Sequence, residues 1–189
     1  MRKPHEMTID RGLLLYLLQL AEPFGLLTDV KLQQLAFLAE LQMFGKRLKG
    51  LHFEFYRFAY GAFSKDLDND LLSLRKKERI ENFSVSEKAE EALKIIGDAI
   101  EGEETNHNIA EILQAIIQTY APQETGAITQ SVEKVELILP QEPDKPTQSL
   151  PIRDVSFHSS LLVPSRIEVD AEFRLSPQQQ MRLNKALGY

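Results

Sequence analysis

Four histidines, His5, His52, His107 and His158, are the side chains of this chain best suited to moving a proton or holding a metal, and they are scattered through the sequence. None sits in an HExxH or comparable ligand pattern. His107 and Glu111 are four residues apart and could share a metal on one helix face. With no third ligand at a matching spacing, they read as a surface pair near a helix start. His158 precedes Ser159 and Ser160, a base beside hydroxyls, yet adjacency along the chain is not the geometry of a triad. Asp66 and Asp70 share a helix face like a carboxylate pair, and compensation of the helix dipole accounts for them without catalysis. The chain has no cysteine, which removes a thiol nucleophile, a disulfide framework, an iron–sulfur cluster and any cysteine-based zinc site. Walker A, GxSxG and GxGxxG patterns are absent, and Gly45 and Gly50 read as helix-end and turn glycines. The sequence therefore predicts no enzyme, no cofactor and no metal.

Composition narrows the partners. With 43% hydrophobic and 26% charged residues the chain is of ordinary globular type, and its 189 residues suffice for one core or one domain with a smaller appendage. A net charge of −6 builds in no general attraction to nucleic acid or anionic lipid. Only the local clusters Lys46, Arg47 and Lys49, and Arg75 to Lys77, could form a basic face. The N-terminus lacks a signal-peptide apolar core, and the run Leu13 to Leu18 is too short to cross a bilayer. Together with the missing cysteines this predicts a cytoplasmic protein without membrane contact.

Helical elements should position most of these residues. Ile9, Leu13, Leu14, Tyr16, Leu17, Leu18 and Leu20 recur at helical spacing between Thr8 and Ala21, until Pro23 and Gly25. Thr28 stands as N-cap of a second helix with Leu32, Leu35, Ala36, Ala39 and Met43 inward, stopping near Gly45. From His52 to Ser64 the chain is aromatic and alternates, which predicts one extended strand broken at Gly61. Phe53, Phe55, Arg57 and Ala59 fall on one face; Glu54, Tyr56, Phe58 and Tyr60 on the other. Ser64 then caps a helix striped by Leu67, Leu71 and Leu74 and running to about Arg79. Ile80, Phe83 and Val85 suggest a short strand pair. Ser86 would cap a helix with Ala89, Leu93, Ile96 and Ile100 inward, EGEE would be a loop, and Ile109 to Tyr120 another amphipathic helix closed by Pro122.

After Gln123 the texture changes. Val135, Leu137 and Leu139 predict a strand followed by a loop over 140–151, where prolines accumulate. Arg166 to Leu175 shows the clearest alternation in the chain, with Ile167, Val169, Ala171, Phe173 and Leu175 on one face, and predicts a half-buried strand. Ser176, Pro177 and Gln179 have capping-box spacing for a terminal helix with Met181, Leu183, Ala186 and Leu187 inward.

The order helix, helix, aromatic strand, helix, hairpin has the outline of a winged helix, with the Ser64 helix in the recognition position. That helix would offer Asp66, Asp68 and Asp70 to DNA, opposed only by Lys65, so the outline fits protein binding better. KLQQLAFLAELQMFGKRLKG and FEFYRFAYGAFSKDLDNDLLSLRKKERIE resemble the Panacea domain family of SocA-like antitoxins and phage-associated proteins, and the related uncharacterised YwgA-like proteins. Lys31, Leu32, Gln33 and Leu35 match its K-L-Q-K-L helix start, and Tyr60 and Gly61 its Y-G-P turn. Ser64, Leu67, Leu71, Leu74 and Ile80 match its leucine-striped helix and following turn. Ala62 stands where the family usually has proline, and Glu78 where it usually has glycine.

The resemblance implies a largely helical, winged-helix-like domain that binds a partner toxin, sometimes as an adaptor, with specificity outside the shared core. The expected fold is a predominantly helical α+β protein with a winged-helix-like domain over 1–122 and a smaller strand-containing segment over 123–189 packed on it. The expected function is a non-enzymatic protein-binding module, antitoxin- or adaptor-like, occluding a partner that a neighbouring gene could encode. The alternative is a winged-helix DNA-binding regulator, and self-association is open. Partner contacts are expected at Phe53, Phe55, Tyr56, Phe58, Tyr60 and Phe63, and at Ile167, Val169 and Phe173 on the late strand.

Overall fold

Helix α1 (Pro4–Ala21) begins one turn earlier than its apolar stripe suggests, because Pro4 occupies the first turn and the Glu6 carboxylate accepts from the Lys3 N–H at 2.6 Å. Helix α2 (Asp29–Gly45) starts as expected, with the Thr28 hydroxyl accepting from the Lys31 N–H at 3.1 Å. The computed structural model describes residues 1–25, 27–138, 143–156 and 160–189, and the fold is predominantly helical α+β. Helices α3 (Lys65–Lys76), α4 (Glu90–Gly102), α5 (Glu104–Tyr120), α6 (Thr125–Glu133) and α7 (Pro177–Ala186) complete the helical set among the described residues.

Packing centres on α1, α2, α4 and α5. Helix α2 lies against α5 and α6, α4 against α5 and α7, and α1 against α4, α5 and α7. Gly12 lets α1 approach so closely that a Cβ there would meet Ile96 of α4 at 2.7 Å and Leu183 of α7 at 3.0 Å. From Lys31 to Glu40 every residue of α2 is buried, so this helix runs through the interior rather than over it. One hydrophobic cluster crosses the boundary expected at residue 122: Ile128, Val132, Ile152, Val163, Phe173, Leu183 and Leu187 are buried with Leu13, Leu35 and Leu113.

Short strands stitch the periphery. Strands β1 (Leu48–Lys49) and β9 (Ala171–Glu172) pair in parallel. Strands β2 (Phe55–Phe58), β3 (Gly61–Phe63) and β8 (Leu161–Val163) form an antiparallel sheet in the order β3-β2-β8. Strands β4 (Ile80–Glu81) and β5 (Ser84–Val85) form the expected small hairpin, and β6 (Glu136–Ile138) pairs with β7 (Ser149–Pro151).

Several expectations are corrected. The single strand over 52–64 is a hairpin: the chain reverses at Ala59 and Tyr60, where Gly61 takes φ +104°, a region closed to side chains with a Cβ. The strand over 166–175 shrinks to Ala171–Glu172. Its alternation of burial survives as extended chain, but β1, the only strand beside it among the described residues, is two residues long. The EGEE loop is one residue, Glu103, between α4 and α5. Helix α6 and strand β8 were not anticipated, and Met181 faces solvent rather than the core. Leu139 and the start of the 140–151 loop lie outside the described residues.

Candidate functional site

The aromatic segment divides into an anchor and a tip. Phe53 and Phe55 are fully buried, and Phe55 meets Phe37 edge to face at 5.4 Å, so these two rings are core and not contacts as expected. Arg57 is buried on the same side. Its guanidinium donates to the Ile152 carbonyl at 2.9 Å and the Gly61 carbonyl at 3.1 Å, fixing the hairpin from beneath. At the tip the alternation brings rings outward: Phe58 is 50% and Tyr60 59% exposed, with Leu161 of β8 49% exposed. Phe63 lies 5.3 Å from Phe58, ring to ring. Tyr56 is half-buried and donates its hydroxyl to Glu54 at 3.0 Å, which pushes its own ionisation up. The Ser165 hydroxyl, at 2.8 Å, helps hold the Glu54 carboxyl below its usual range. Of the late candidates, Phe173 is buried, a second correction, while Ile167 and Val169 are half-buried.

Side chains of α2 hold this hairpin in place. Gln34 donates to the Ala62 carbonyl at 3.0 Å and accepts from the Ala62 N–H at 3.1 Å. Gln33 does the same with Ser64, at 3.1 and 2.8 Å. Two side-chain amides thus take the place of a fourth strand and close the outer edge of β3. Gly61 sits where a Cβ would come within 2.4 Å of the Gln34 oxygen. Lys31 is buried and donates to the carbonyls of Ala121 at 2.6 Å and Gln123 at 3.0 Å, satisfying the end of α5. Leu32, Leu35, Leu67, Leu71, Leu74 and Ile80 are core, and the Ser64 hydroxyl caps α3 by accepting from the Leu67 N–H.

A second region was not foreseen. Asp10, fully buried on α1, accepts from Arg2 at 2.8 Å, from the His52 backbone N–H at 2.9 Å and from the His52 ring Nδ1 at 2.8 Å. Arg2 also donates to Asp70 at 2.7 Å, and Arg11 reaches the other Asp70 oxygen at 2.9 Å. Asp70 is therefore buried under two arginines, and of the acidic trio on α3 only Asp66 and Asp68 reach solvent, each in part. Glu40 accepts from the Phe53 N–H at 3.2 Å and leaves its other oxygen without a hydrogen-bond partner. Burial, reinforced by the Asp10 charge, pushes its carboxyl well above the usual range. Lys49 is buried too, donates to the Ser165 carbonyl, and is driven down from the usual ammonium range by desolvation.

This polar network borders a cleft of about 320 Å³ whose wall includes His5, Ile9, His52, Glu172 and Phe173. Asn106 holds the far wall by bonding both the carbonyl and the N–H of Arg174, at 2.7 and 2.9 Å. The structure thus brings together His5 and His52, which the sequence left apart. His107 stays on the surface 3.4 Å from Glu111, and His158 and Ser159 lie outside the described residues. Lys49 is withdrawn from the expected basic cluster, leaving Lys46 and Arg47, with Arg47 paired to Asp170 at 2.9 Å. Among the described residues no three His, Asp or Glu side chains gather to hold a metal ion, and no single helix is long and apolar enough to cross a membrane. The signals that could have exposed the charge network are charged residues inside apolar helices, Asp10 on α1 and Glu40 on α2. No family model matches the chain, and neither the curated proteins nor the solved structures contain a match to it.

Proposed function

We propose that this chain is a protein-binding module of the antitoxin or adaptor kind, which presents the tip of its aromatic hairpin to a partner protein and occludes the partner's working surface. The observation that carries this reading is the pair Phe58 and Tyr60, half or more exposed on a hairpin whose base is locked by Arg57, Gln33 and Gln34. Rigid, exposed aromatic rings lose little entropy on binding and bury a large area each, the profile of interface hot spots. A co-encoded toxin is the partner the family resemblance implies, and the cytoplasm is the compartment that suits a cysteine-free chain of this role.

Duplex DNA fits this surface less well. Helix α3 opens with Asp66 and Asp68, and the cations beside them are already engaged, Lys65 3.1 Å from Asp68 and the buried Arg2 3.5 Å from Asp66. The test is co-purification of the tagged protein with the products of its neighbouring genes. A stoichiometric partner should be retained by the wild type and lost from a Phe58→Ser/Tyr60→Ser variant of unchanged thermal midpoint. Equal retention by both, or no partner with either, overturns the proposal.

A further inference from the structure

The cleft beside the charge network has a donor missing. Asp10 Oδ1 accepts from both the backbone N–H and the ring Nδ1 of His52, which fixes the proton of a neutral imidazole on Nδ1 and leaves a lone pair on Nε2. The Nε2 atom makes no hydrogen bond among the described residues, and the nearest carboxylate oxygen is Oε2 of Glu172 at 3.9 Å. Glu172 is half exposed and has no other cation within ion-pair distance among the described residues. Two acceptors therefore face each other across a gap, on a cleft lined also by Ile9, Phe173, Leu175 and Pro177.

We propose that this cleft binds a small organic ligand through a primary ammonium group seated between Nε2 of His52 and Oε2 of Glu172. A nitrogen about 2.8 Å from each of two acceptors spaced as these are subtends an angle of about 90°, within reach of two N–H bonds of one tetrahedral ammonium. The apolar wall suits the ligand's carbon chain, as in ordinary small-molecule sites. A metal ion is the poorer occupant, since the pair lacks a third protein ligand. Arg174, on the same wall, favours amines that also carry an anionic end over simple diamines.

The test is a titration of the full-length protein near neutral pH, followed by proton–nitrogen correlation spectra of the histidine rings. The probes are n-butylammonium chloride and, at equal concentration, tetramethylammonium chloride, which has the charge but no N–H. The expected result is a ligand-free His52 protonated on Nδ1 alone and a saturable movement of its Nε2 signal with butylammonium only. Glu172→Gln, at a half-exposed side chain that the core does not need, should weaken binding about tenfold. The proposal is overturned by a ligand-free His52 protonated on both nitrogens, for then the gap is a closed ion pair. It is equally overturned by no saturation up to about 100 mM, by an equal response to tetramethylammonium, or by unchanged affinity in the Glu172→Gln protein.

Discussion

At the hairpin tip, Phe58 and Tyr60 hold two aromatic rings in water, while beneath the cleft Asp10, Glu40, Asp70, Arg2 and Lys49 hold ionisable groups out of it. Both placements run against the usual sorting of side chains, but at very different cost. A ring left in water forgoes only the gain of burial, whereas a buried charge must be matched group by group. The tip is thus free to change without unfolding the protein, and the network is not. A region that stability does not require is where selection for binding is easiest to see, while the network is tied to the stability of the fold itself.

Asp10→Ala should produce the largest effect. It strips acceptors from the His52 backbone and ring and one partner from Arg2, and should lower unfolding free energy by about 3–5 kcal/mol in urea titration. Gln34→Leu follows, because the Ala62 N–H and carbonyl would be left buried and unpaired. A loss of about 2–4 kcal/mol is expected by the same measurement. An effect within the scatter of surface mutants at either site would remove the contrast with the tip.

The third prediction concerns pH. Burial raises the Glu40 carboxyl in the folded chain above its unfolded value, so the folded state binds this proton more tightly. Its contribution to stability is complete below the unfolded value of 4.5 and is lost as pH rises from there through the raised folded value. Asp70, raised by desolvation, has the same sign, whereas Glu6 and Glu54 are lowered and act oppositely. Comparison with Glu40→Gln isolates the one group. The variant should gain on the wild type steadily as pH rises through that window, and a pH-independent difference would contradict a protonated Glu40. The smallest effect belongs to Phe58→Ser/Tyr60→Ser, with stability within about 0.5 kcal/mol of wild type and any partner affinity abolished.

The two regions also differ in how legible they were. Alternation along 53–58 sorted Phe53, Phe55 and Arg57 from Glu54, Tyr56 and Phe58 correctly, because strand geometry is local and has period two. It could not separate core from contact surface, since Phe53 and Phe58 differ only in which side the fold covers. Caps at Thr28, Ser64 and Ser176 were readable for the same local reason. Nothing local joins Asp10 to His52 or Gln34 to Ala62, contacts made between distant segments by tertiary packing. Helix α6 rests on Ile128 and Val132 alone, too few apolar residues to show a period. Glu78 takes φ +56°, a backbone requirement that a glutamate in the sequence conceals.

The docking of α7 on α1 and α4 bears on how the chain is made. Gly12 receives Leu183, and β1 must wait for β9, so α1 is completed only once α7, far along the chain, has been made. Until then the apolar side of α1 that α7 covers has no partner, and the contacts that finish the core are among the longest-range in the chain. Molecules in which α7 is not yet made or has been cut away would expose that side of α1 and be marked for chaperones and proteases, which ties the protein's abundance to the integrity of α7.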